Sequence, residues 1–193
     1  MMLVKKMIKY PNPTITKTKV HRIESHGMLF ENALNLSNDY YRIHDIAIIY
    51  KKPTPVQIVK VDYPSRNKAR ITEGYFKTPS TTDYNGVYRG KYIDYEAKET
   101  NNLSFSFKHI FKHQIEHLQN VNKHQGIAFI IIFFKKIGEI YIIDITTFAR
   151  YYNDPTVKSL TLKAIKEDGI GHRVITGYTP PIDYIKVIDE MYF

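Results

Sequence analysis

Tyr92-Ile-Asp-Tyr-Glu-Ala97, continued by Lys98, is the stretch on which the reading of this chain turns. Successive side chains of a β-strand point to opposite faces, so Ile93, Tyr95 and Ala97 share one face while Asp94, Glu96 and Lys98 share the other. One face suits a core; the other carries two carboxylates and an ammonium. Glu-x-Lys alone is a weak signal, since such a pair is more often a plain cross-sheet ion pair than a catalytic one.

Asp83 strengthens it. It lies in the polar, turn-rich loop Pro79-Ser-Thr-Thr-Asp-Tyr-Asn-Gly86, which leads into a predicted hairpin turning at Arg89-Gly90-Lys91, so a second carboxylate comes within reach of Glu96. Magnesium takes oxygen ligands and keeps several waters, so Asp83, Glu96, the Ala97 carbonyl and a scissile phosphate make a sufficient shell, with manganese as a substitute. Such an ion neutralises charge developing at phosphorus and acidifies a bound water, which Lys98 can orient. Asp-x(n)-Glu-x-Lys is the signature, degenerate by itself, of the PD-(D/E)xK nucleases.

Downstream, Phe107, Ile110, Phe111, Gln114, Ile115, Leu118 and Val121 recur at three and four, which predicts an amphipathic helix. Gln114 stands where an apolar residue is expected, and an inward polar group needs a partner. It is either a core glutamine bonded to backbone or a group holding the attacking water, a phosphate oxygen or the metal beside Lys98. Glu31, bordering the apolar face of a predicted helix from Gly27 to Tyr41, is a lesser metal candidate. His109, His113 and His117 recur every fourth residue, a spacing better read as a face turned to solvent or phosphate than as a metal site. Asp94 is read as structural or as an indirect helper.

Strands are predicted at Ile46 to Tyr50, at Ile127 to Phe134, apolar on both faces and hence central, and at Glu139 to Ile145. The fold expected is α/β, a central mixed sheet flanked by helices. With 193 residues, 43% apolar and 24% charged, the chain suits one globular domain, placed at 24–193. There is no cysteine, which excludes disulfides and zinc-thiolate sites. The longest apolar run is too short to span a bilayer, and residues 1–13 lack a secretory pattern, so a cytoplasmic, nucleoid-associated protein with no membrane partner is expected.

A formal charge of +9 favours a polyanionic partner. The charge is concentrated: residues 1–23 hold six cations and no acid, which reads as a flexible basic arm. Residues 51–77 hold Lys51, Lys52, Lys60, Arg66, Lys68, Arg70 and Lys77 against Asp62 and Glu73. Within them, Val56 to Tyr63 and Ala69 to Phe76 alternate imperfectly around the turn residues Pro64 to Lys68, giving a basic two-stranded ribbon. Lys51, Lys52, Arg66, Lys68, Arg70, Tyr75 and Phe76 are its candidate DNA contacts, although a charged hairpin can also be merely solvated.

Gly27-Met-Leu-Phe-Glu-Asn32, Lys51-Lys-Pro-Thr-Pro55, Pro79 to Tyr88, Tyr92 to Thr100, His113-Gln114 and Ile182 to Asp189, in this order, resemble the RecU family of Holliday junction resolvases. The resemblance implies a restriction-endonuclease-like core and a homodimer that places paired magnesium-dependent nicks across four-way junction DNA. It implies Asp83 and Glu96 as metal carboxylates, Lys98 as the catalytic lysine, Gln114 as the family glutamine, the ribbon as a stalk entering the junction, and RecA and RuvB as partners. The chain departs from the family pattern at His26, where a basic residue is expected, and in Phe105-Ser-Phe107, which lacks a proline. A nuclease for other DNA structures and a non-catalytic basic nucleic-acid-binding module are the alternatives.

Overall fold

The computed structural model describes residues 27–65, 68–77 and 81–193. The basic arm at 1–23 and Arg66 lie outside them. In chain order the elements are α1 Gly27–Ile43, β1 Ile48–Lys51, β2 Val56–Asp62, β3 Arg70–Phe76, β4 Tyr84–Tyr88, β5 Lys91–Thr100 and β6 Ser104–Ser106. They continue with α2 Lys112–Lys123, β7 Ile127–Phe134, β8 Glu139–Asp144, α3 Ile145–Tyr152, β9 Ser159–Thr161, α4 Leu162–Glu167, β10 His172–Val174 and α5 Tyr184–Tyr192.

Six strands form the central sheet in the order β1-β4-β5-β7-β8-β10. All neighbours are antiparallel except β5 and β7, so the sheet is mixed, as expected. The β5-to-β7 connection runs through α2, because parallel neighbours need a crossover rather than a tight turn. The β4–β5 turn forms at Arg89 and Gly90, both at positive φ. That is the geometry a two-residue hairpin loop favours.

Every residue of β7 is buried. Phe129, Ile131 and Phe133 pack on the side covered by α1 and α5, with Phe30, Leu34, Ile185 and Ile188. Ala128, Ile130, Ile132 and Phe134 pack on the other side, with Ile115 and Leu118 of α2 and Phe148 of α3. The continuous apolar run is therefore a strand covered on both faces. Tyr95 anchors β5 in the first core, stacked at 4.8 Å on Tyr84 and at 4.8 Å on Phe129.

The second layer stops short of one edge. Ile49, Tyr84 and Tyr88 are buried under α1 and α5. On the opposite face Ile48, Tyr50, Val87 and Tyr92 remain exposed. This open floor of β1 and β4 continues towards Asp94 and Glu96.

Strands β2 and β3 form the expected ribbon, a separate two-stranded sheet with every residue of β3 exposed. The imperfect alternation in β2 has a local cause: the register slips around Val59, so the strand bulges there. Lys51 ends β1 and Lys52 follows it, which places both at the edge of the main sheet and corrects the expectation that they belong to the ribbon.

A second correction concerns the helix predicted from Phe107 to Val121. It is divided into a 3-10 turn, Phe107–His109, and α2, with Ile110 and Phe111 extended between them. His109 thus leaves the Gln114 helix. Ile145, expected to close a strand, begins α3 behind the capping carboxylate of Asp144, which accepts from the Thr146 amide at 2.7 Å. The short pair β6–β9 and the edge strand β10 have no periodic signal, each being three residues long.

Candidate active site

The pairing of β4 with β5 builds the site. Tyr84 pairs with Tyr95, so Asp83, one residue earlier, comes opposite Glu96, one residue later. The Asp83 carboxylate accepts a hydrogen bond from the Ala97 amide at 3.1 Å. A strand residue directs its N–H and C=O to the same side. The Ala97 carbonyl therefore points towards the side occupied by Asp83, beyond the last paired residue of β4.

Glu96 is fully buried. Its Oε1 accepts from Gln114 Nε2 at 2.7 Å and from Lys98 Nζ at 2.6 Å. Its Oε2 is buried without a hydrogen-bond partner among the described residues. Burial pushes the Glu96 carboxyl well above the usual carboxylate range; the neighbouring Asp83 adds to this and Lys98 opposes it. An uncompensated carboxylate oxygen next to a second carboxylate is costly unless something positive arrives.

Gln114 has two duties. While its amide nitrogen holds Glu96, its Oε1 accepts from the Phe111 amide at 3.0 Å, satisfying a free N–H at the start of α2. The backbone bond is the one expected of a core glutamine, and the other half of the side chain faces the Glu96 carboxylate.

Glu31 sits on α1, half exposed, with its carboxylate on Lys51 Nζ at 2.5 Å. No hydrogen bond joins it to Asp83 or Glu96 among the described residues. Lys52 Nζ turns inward to Thr82 at 2.8 Å and to buried Asp94 at 2.7 Å. On the ribbon, Lys68 and Arg70 are exposed, as are Tyr75 and Phe76, the last 81% so.

Sequence reasoning passed over Thr82 and read His117 as turned to solvent or phosphate. His117 Nε2 lies 3.0 Å from Asp94 Oδ2, so this histidine faces a carboxylate and not only solvent. The available signal was Asp94 itself, which lies on the α2-facing side of β5 and needs partners once α2 covers it. His113 has its Nε2 buried and unpartnered among the described residues, with its ring stacked on Phe111 at 5.6 Å.

The residues fit a divalent cation of modest protein coordination. Among the described residues no three His, Cys, Asp or Glu side chains converge on one point. Two carboxylates do meet here, one with a bare oxygen, and a hard cation that keeps its waters asks for no more.

The model of the family described as Recombination protein U matches residues 25–190. The chain belongs to the RecU family. Curated family members named Holliday junction resolvase RecU from Bacillus cereus strain AH820 and Bacillus anthracis strain CDC 684 are each 50% identical over 96% of this chain and 98% of their own length. Another from Bacillus cereus strain G9842 is 48% identical over the same shares. Among solved structures, Archaeoglobus fulgidus Hjc, a Holliday junction resolvase from an archaeal hyperthermophile, aligns with a TM-score of 0.38 and 10% identity, covering 53% of this chain and 78% of that one. The segments that carry the resemblance fall on the elements described: the loop bearing Asp83, the β5 strand bearing Glu96 and Lys98, and the start of α2 bearing Gln114.

Proposed function

We propose that this RecU-family chain is a Holliday junction resolvase, an endonuclease that makes paired nicks in four-way DNA junctions during homologous recombination and repair. The observation that carries the chemistry is the buried, unpartnered Glu96 oxygen beside Asp83, with Lys98 on the same face. Residues 24–193 form the nuclease unit in this reading.

Asp83, Glu96 and the Ala97 carbonyl would hold magnesium or manganese. When bound, the ion supplies charge neutralisation at phosphorus and a more acidic water. Gln114 holds Glu96 by its bond to Oε1, which leaves the buried Oε2 free for a cation. Lys98, tied to Glu96 and one-fifth exposed, presents a positive charge between the buried carboxylate and the incoming phosphate.

Two equal cuts on opposite strands require two sites related by a two-fold axis, hence a homodimer. The exposed apolar residues Ile48, Tyr50, Val87 and Tyr92 support this reading, because a contiguous apolar stripe on a sheet face favours a partner. Lys68, Arg70, Tyr75 and Phe76 extend the electrostatic and stacking surface along the ribbon, and Arg66 and Lys51 are assigned with them. No helix among the described residues is long and apolar enough to cross a membrane.

The test is cleavage of a mobile four-way junction, with linear duplex as control, with and without magnesium. Symmetric nicks are expected on the junction only, with Asp83→Asn inactive yet still binding. Equal cutting of duplex, or an active Asp83→Asn chain, would overturn the assignment.

A further inference from the structure

Asp94 is two residues from Glu96 on the same face of β5 and is equally buried, yet its surroundings are opposite in kind. Glu96 keeps one bare oxygen. Asp94 is saturated: Oδ2 accepts from Lys52 Nζ at 2.7 Å and from the Tyr92 hydroxyl at 2.9 Å, and lies 3.0 Å from His117 Nε2, while Oδ1 takes the Thr82 hydroxyl. The donors come from four segments: the end of β1, the loop entering β4, β5 itself and α2.

Two of the donors also hold Asp83. Thr82 is its neighbour in sequence, and the Lys52 backbone amide donates to the Asp83 carbonyl at 2.7 Å. Lys52 Nζ reaches Thr82 as well, at 2.8 Å. The Asp83 segment is therefore fastened to β5 through both main chain and side chains. His117 ties in α2, the helix whose Gln114 grips Glu96. Well-packed apolar residues often stabilise a fold as well as a buried ion pair does, so stability alone gives little reason for this arrangement. What it fixes is the separation between the loop carboxylate and the strand carboxylate.

We propose that Asp94, with Lys52, Thr82 and His117, forms a positioning cluster that sets the Asp83–Glu96 spacing for a divalent cation, and that Lys52 serves this cluster rather than touching DNA. The proposal rests on the nuclease reading above. It reassigns one of the basic residues that composition alone would give to the phosphate-binding surface.

Thr82→Val removes one hydroxyl at nearly constant volume, Thr82→Ser restores it, and Lys52→Met removes the ammonium. Four measurements separate the possibilities: thermal stability, manganese binding to the metal-free protein followed by electron paramagnetic resonance, single-turnover junction cleavage against magnesium concentration, and junction affinity without metal against salt. Loss of a partner that orients a metal ligand costs about 10- to 100-fold in affinity or activity. Thr82→Val and Lys52→Met are therefore expected to bind manganese at least about tenfold more weakly and to need correspondingly more magnesium. Thr82→Ser is expected to match the parent, and the salt slope of junction binding to stay unchanged in all three. Manganese binding at the parental level in both Thr82→Val and Lys52→Met overturns the proposal. So does a salt slope lowered by about one in Lys52→Met, the mark of a lost phosphate contact. A parallel fall of stability, metal binding and junction binding that serine fails to rescue also overturns it, since that describes a merely structural cluster. Parent protein that binds manganese but cuts no junction refutes the nuclease reading instead, and the manganese titrations still decide the positioning role.

Discussion

Glu96→Gln is expected to stabilise the metal-free protein above neutral pH while abolishing its response to magnesium. In the fold the Glu96 carboxyl is raised from 4.5 to about 7, chiefly by burial. For a group raised in this way, the stability it contributes is fully present below 4.5 and is lost as pH climbs through about 7, because the unfolded chain then gains more from ionisation. Each pH unit of difference corresponds to about 1.4 kcal/mol, so the ionised side chain costs on the order of 3 kcal/mol at alkaline pH. The substitution also deprives Lys98 of its partner, but that ammonium is one-fifth exposed and can turn to water. A net gain of about 1–3 kcal/mol remains, or several degrees in melting temperature for a chain of this length. Thermal melts of both proteins without metal, from pH 4.5 to pH 8.5, read the difference. The gap is expected to open between 4.5 and about 7 and to stay level above that. Magnesium should then raise the melting temperature of the parent alone, more strongly at higher pH, where no proton competes for Glu96. A gap independent of pH, or a parent more stable than the variant at pH 8, would refute the argument that Glu96 is a buried group awaiting a cation.

Gln114→Leu removes both the donor on Glu96 and the acceptor at the helix start; hydrogen bonds to charged groups contribute about 1.5–3 kcal/mol, so single-turnover cleavage should slow at least tenfold, and an unchanged rate would deny Gln114 any part in the reaction. A Cβ added to Gly86 would lie 1.9 Å from the Ile48 carbonyl oxygen and 2.7 Å from Ile49 Cα, so Gly86→Ala must push β1 away from β4. Overpacking costs about 1–3 kcal/mol or more, and a melting temperature lowered by less than about 2 °C would show that the edge strand yields freely. Replacing Tyr75 and Phe76 together by alanine should leave stability within about 0.5 kcal/mol, both being exposed, yet weaken junction binding measured by anisotropy. Parental affinity would remove them from the DNA surface.

The site was legible where the sequence obeys a single period. Alternation in Tyr92 to Lys98 placed Asp94, Glu96 and Lys98 on one face, and they lie there. The misplaced polar residue at Gln114 pointed to a partner, found in Glu96. Illegible were features set by tertiary contact. Nothing local distinguishes Lys51, held by Glu31 on one side of the sheet, from Lys52, drawn to Asp94 on the other. Only the alternation of an edge strand too short to show a pattern separates them. The break at Ile110–Phe111 was hidden because both residues are apolar and keep the helical spacing, although their backbone is extended. His117 gave no hint of its partner, since Asp94 is 23 residues away in sequence.

The ribbon of β2 and β3 is a sheet of its own, paired with no other strand among the described residues, and exposes Val56, Ile58, Val59, Ile71, Tyr75 and Phe76. A lone two-stranded hairpin is marginally stable in water, so under the proposed function part of the cohesion of this one would come from the DNA it enters. Docking is then also a desolvation event: aliphatic and aromatic surface leaves water together with the counterions of the phosphates. Its calorimetric trace is a negative heat-capacity change confined to substrates with an opening that admits the ribbon. The enthalpy difference between junction and duplex binding would accordingly grow more negative on warming, and the preference for the junction would pass through a maximum at the temperature where that difference is zero.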